Sequence, residues 1–213
     1  MKTNIMRALL VLVAATPMVV MANEEGPAPQ TFQSTNMADI SKGTPFTPAD
    51  GAAFLVRSKN GLEARVMLAD LVPGHAHTIW WIIFNEPSAC STHPCTLGVD
   101  FAAGRAALFF GTGVIAAAGG AGGVVNITFD TRAGGPPTGA VVVPAGPESG
   151  LKAGHGFKAE VHLLMIDHGV PTAGFPNVPG SWAFEMTHPR PPGTADVRGA
   201  LFPPMAPPNE IED

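Results

Sequence analysis

Apolar residues recur at every second position over short runs of this chain, and turn residues separate the runs. The pattern is clearest in FKAEVHLLMIDH (157–168). There Phe157, Ala159, Val161, Leu163 and Met165 share one strand face, and Glu160, His162, Leu164, Ile166 and His168 share the other. In IWWIIF (79–84) both faces are apolar, as in a central strand covered on both sides. That run ends at Asn85-Glu86-Pro87, because proline has no amide hydrogen to give a ladder. AAFLVR (52–57) leads into Ser58-Lys59-Asn60-Gly61, and this Asn-Gly turn predicts a hairpin with the run carrying Ala64, Val66, Leu68 and Leu71. AALFFGTGVIAAA (106–118) and VVNITFD (124–130) flank a glycine cluster and read as two antiparallel strands of a second hairpin. Shorter strands are expected at AVVVP (140–144) and around Trp182 to Met186. No amphipathic helix of useful length is present. The class is all-β: an antiparallel two-layer sandwich or jelly-roll-like barrel of about eight strands.

The ends divide the chain. Residues 1–22 combine a basic start (Lys2, Arg7), an apolar run and a small-residue end, the plan of a secretory signal peptide cut after Ala22. The run falls short of the roughly 20 apolar residues of a spanning helix, so no membrane span is expected after cleavage. Residues 23–44 are polar and read as a flexible N-terminal arm, 45–188 as the β-sandwich domain, and 189–213 as a proline-rich C-terminal tail. Without the leader, 10 basic and 17 acidic residues remain, a balance of −7. Such a charge argues against nucleic acid and anionic membranes as partners.

Export changes the meaning of the two cysteines. Cys90 and Cys95 are close together in a chain routed to an oxidising compartment, so a disulfide is expected, holding the loop after the Trp80-Trp81 strand in one shape. The candidate chemistry lies in histidines. His75 and His77 are two residues apart and point the same way on a strand, and Glu160 and His162 share one face of a later strand. If those strands are neighbours, three imidazoles and a carboxylate could meet, a donor set suited to copper or zinc. His168, Asn85 and Glu86 are additional candidates, whereas His93, His155 and His188 read as surface residues. The Gly111-Thr112-Gly113-Val114-Ile115-Ala116 match to a dinucleotide motif is discounted, since a glycine run follows where a helix is required.

The segments WWIIFNEPSAC…PC and AEVHLLMIDHG together resemble a family of exported bacterial proteins carrying W-W-x-x-F-N-x-P-x-x-C and a later A-E-V-H-L…H-G. The resemblance covers about 74–100 and 159–169. It implies secretion and a shared β fold, and supplies no reaction. Its matched polar positions are Asn85, Glu86, Cys90, Cys95, Glu160, His162 and His168. The chain departs from the family at Ile166 or Asp167, where a basic residue is common.

The leading expectation is a secreted or periplasmic binding protein holding a divalent metal, Cu or Zn, through His75, His77 and His162. An alternative is a metal-dependent enzyme, hydrolytic or redox, with Glu160 as general base. A third reading is a structural envelope or matrix protein without metal. The partner is accordingly an unknown small molecule or an envelope component.

Overall fold

The computed structural model describes residues 29–39, 47–117, 125–134, 150–171 and 197–208. The expected signal peptide, the strands at 140–144 and 182–186, and His188 lie outside the described residues.

Eight antiparallel strands form the described fold: β1 (Thr31–Asp39), β2 (Thr47–Ser58), β3 (Gly61–Leu68), β4 (Ala76–Phe84), β5 (Ala107–Ile115), β6 (Val125–Arg132), β7 (Glu160–Asp167) and β8 (Val197–Phe202). They make one continuous sheet in the order β5-β4-β7-β8-β1-β2-β3-β6. Of the two all-β forms expected, the sheet takes the barrel: it curls until its edge strands β5 and β6 approach and close it almost completely. No helix among the described residues is long and apolar enough to cross a membrane.

Alternation decides which side chains fill the barrel. Leu62, Ala64, Val66 and Leu68 of β3 point inward and are buried, while Glu63 and Arg65 between them are exposed. Ile79, Trp81 and Ile83 of β4 meet Val161, Leu163 and Met165 of β7 in the same cluster. Burying each such large side chain is worth about 1.5–3 kcal/mol relative to leaving it in water.

The opposite face of β4 is covered as well. Ile82 and Phe84 lie with Cys90, Cys95 and Ala106 in a second cluster, against which Leu97, Phe101, Leu108 and Leu164 pack. This layer is the loop after β4, which carries a short 3-10 turn (Pro87–Ala89) and one π turn (Leu97–Phe101). The uniformly apolar run 79–84 thus reports a strand between a barrel interior and an outer loop layer.

Three expectations are corrected. The stretch read as a flexible arm contains β1, which pairs with β2 along most of its length and with β8 at Ala38 and Asp39. The stretch read as a tail contains β8, paired with β7 from Val161↔Phe202 to Ile166↔Val197. Both segments are strands in the interior of the sheet order. Finally, β5 and β6 are strands, as expected, but they do not form a hairpin with each other: β5 pairs with β4 and β6 with β3. Side chains occupy the seam instead. A Cβ on Gly111 of β5 would lie 2.8 Å from the Phe129 ring of β6, and that ring also sits edge-on to Trp81 at 4.8 Å between centroids. The β2–β3 hairpin forms at Ser58↔Gly61, with Lys59 and Asn60 as its loop.

Candidate functional site

The strands carrying the histidines are neighbours, yet their register separates the expected ligands. His77 pairs with Asp167, whereas His162 pairs with Ile82. Five residues of strand separate the two levels, roughly 17 Å at the usual rise. The faces differ too, because His77 lies on the inward face with Ile79 and Trp81 and His162 on the outward face with Glu160. His75, His77, His162 and Glu160 are therefore not assembled around one point. Among the described residues, no group of three or more His, Cys, Asp or Glu side chains is placed to hold a metal ion.

Three separate polar arrangements stand in place of that set. The first is at the rim where β4 begins. His75 directs Nδ1 at both oxygens of the Asp167 carboxylate, at 3.0 and 2.9 Å, and Asp167 also accepts the Gly169 amide at 2.7 Å. The His75 side chain is 21% exposed and that of Asp167 4%. An ionised carboxylate only accepts, so Nδ1 is the donor of this contact and Nε2 is the ring nitrogen that Asp167 does not engage. Nε2 makes no hydrogen bond among the described residues. The His77 ring lies beneath, 6.4 Å away between centroids and close to parallel. The same-face reading of His75 and His77 thus describes the geometry, and the partner of His75 is Asp167, which the sequence reading did not nominate. Its signal was parity: Asp167 ends the inward row Val161, Leu163, Met165, where a carboxylate is costly unless it is partnered.

The second arrangement lies on the outward face of the same strand ends. Trp80 donates its indole N–H to Thr78 Oγ1 at 2.8 Å, and that oxygen is 2.7 Å from His168 Nε2. All three residues are buried. His168 is next to the first arrangement along the chain but on the opposite side of the sheet.

The third belongs to the loop layer. Glu160 Oε1 accepts the Cys95 amide at 2.8 Å and lies 2.7 Å from His162 Nε2. The Cys90–Cys95 disulfide is present as expected. Asp100, buried within the layer, accepts hydrogen bonds from the Ser91 and Thr96 amides at 2.7 and 2.8 Å and from the hydroxyls of Ser91, Thr92 and Thr96. These donors hold its carboxyl far below the usual carboxylate range, the Thr96 and Ser91 amides contributing most. Asn85 ties the far side: its amide donates to Gly150 O, and its Oδ1 accepts the Lys152 amide. Glu86 makes an exposed ion pair with Lys152 at 3.2 Å.

Among the histidines of these arrangements His75 is partly exposed, whereas His77, His162 and His168 are buried. The fold and its sites define a small antiparallel β-barrel with a disulfide-closed layer on one outer face and a carboxylate-held imidazole at its rim. No protein-family model, curated protein or solved structure matches the chain.

Proposed function

We propose that this chain is an exported β-barrel binding protein and that its ligand contact is Nε2 of His75. The observation that carries the reading is the carboxylate-held, partly exposed imidazole with its second nitrogen unbonded. Backing of this kind fixes the aim of an imidazole, which is how proteins orient histidine to bind a metal or accept a hydrogen bond. The ligand proposed is Cu²⁺ or Zn²⁺, with His75 as the protein donor and water or a carried small molecule filling the other positions. The rim around it carries exposed Val72, whose carbonyl accepts the His75 amide, and exposed Val170, next in the chain to Gly169, whose carbonyl accepts the Ala76 amide. Export is supported by the leader-like first 22 residues and by the disulfide.

Glu160 is the weaker candidate for proton transfer. Its Oε1 is engaged by the Cys95 amide and by His162, which suits it to docking the loop layer. Calorimetric titration of the disulfide-intact protein with CuCl₂ and ZnSO₄ tests the proposal. Wild-type protein should bind one of the ions, His75→Ala should abolish binding, and Asp167→Asn should weaken it about 10–100-fold. His162→Ala should leave it unchanged. Absence of binding in the wild type, or equal affinity in His75→Ala, would remove the rim site and favour a structural envelope role.

A further inference from the structure

The outward side of β1, β2 and β3 carries apolar residues among polar and charged ones. Phe32 is 61% exposed and stacks on Phe54 with centroids 5.8 Å apart, while Phe54 and Val56 are partly exposed. The registers align two rows of outward side chains across four strands. Phe32, Val56, Glu63 and Asp130 make one row, and Ser34, Phe54, Arg65 and Thr128 make the next. Glu63 makes no hydrogen bond or ion pair among the described residues, and Arg65 reaches Asn126 Oδ1 at 3.2 Å. One row therefore holds two carboxylates and the other a guanidinium, with aromatic and aliphatic groups beside them.

We infer that this face is the interface of a homodimer. Symmetric dimers need a patch that complements itself. A two-fold axis lying in the interface and crossing the strands midway between the rows places each row against the other row of the second copy. Glu63 then faces the partner's Arg65, Val56 faces the partner's Phe54, and Phe32 faces the partner's Ser34. The apolar pairs exclude water at the centre, and the opposite charges set the register. The acidic row makes an anionic membrane the poorer occupant.

Sedimentation equilibrium on the full exported chain, disulfide intact, tests this over about 1–100 μM, the range of weak specific association. The wild type should reach twice the mass of one chain. Glu63→Arg and Arg65→Glu each set like charges face to face and should weaken the dimer at least about tenfold. The double reversal should restore it. Phe32→Ser should also weaken it, with the circular dichroism spectrum unchanged. A wild-type monomer at the highest concentration, reversals without effect, or a double reversal that fails to restore association would overturn the inference. So would a monomer that pellets with phosphatidylcholine–phosphatidylglycerol vesicles.

Discussion

Arg57 shows how a single buried charge ties this barrel to its loops, and Asp100 how one holds a loop together. Arg57 is fully buried, and all five of its N–H donors are used: Nε on Gln33, and the two terminal nitrogens on the carbonyls of Gly156, Ala159, Phe202 and Pro203. None of these partners is a carboxylate. Burial alone lowers its pKa to about 10, so it remains charged at neutral pH. The guanidinium thereby joins β1, β2, the turn before β7 and the end of β8. Asp100 does the same for the loop layer, and its chemistry gives a pH signature. A carboxyl whose pKa is depressed by folding contributes stability that is complete above its unfolded value of 3.8 and is lost as pH falls below it. Denaturant melts should therefore show stability declining below about pH 4 in the wild type. Asp100→Asn should be less stable at pH 7, because a neutral amide satisfies the five donors less well, and its acid decline should be shallower. Equal acid slopes in the two proteins would remove Asp100 from that role.

At the scale of elements, the loop between β4 and β5 acts as a second layer held by three independent devices: the disulfide, the Asp100 cluster, and Glu160 on the Cys95 amide. Closing a loop of sequence separation 5 constrains the unfolded chain only modestly, by about 2 kcal/mol in the chain-entropy account. Replacing both cysteines by serine should thus cost about 2 kcal/mol in urea unfolding, while hydrogen exchange still finds the Cys95 amide protected. Exchange at the unfolded rate would mean that the loop needs its disulfide to present the Cys95 amide to Glu160. The loop's disulfide was legible from two neighbouring cysteines behind a leader-like first 22 residues. The layer's other anchors were not, because Asp100 sits in a glycine- and alanine-rich stretch with no periodic pattern. The strands β1 and β8 were missed for a related reason. The inward face of β1 is Thr31, Gln33, Thr35 and Met37, polar but for the last, and Gln33 is placed there by its bond to Arg57 rather than by hydrophobic pattern. Val197 to Phe202 alternates properly in the sheet but is embedded in proline-rich sequence.

For the whole molecule, the first and last described strands are neighbours, so the barrel is completed only when both chain ends are in place. A chain ended at His188 lacks β8, leaving β7 and β1 without their shared partner and Arg57 without the Phe202 and Pro203 carbonyls. It should lose cooperative thermal unfolding and near-ultraviolet dichroism. A sharp transition in that truncated chain would return the segment to the status of an appendage. The same long-range closure explains where reading the sequence stopped. Alternation over five to ten residues is local, and it was enough to set the all-β class, the faces of β3, β4 and β7, the hairpin at Lys59-Asn60 and the shared face of His75 and His77. Strand order and register belong to the tertiary structure, because they couple residues far apart in the chain: His75 to Asp167 across 92 positions and Arg57 to Pro203 across 146. A shift of one residue in the β4–β7 pairing would turn every side chain of a strand to the other face. Which imidazole meets which carboxylate was therefore decided by packing of the whole sheet, and it put His162 and Glu160 under the loop layer and His75 at the rim.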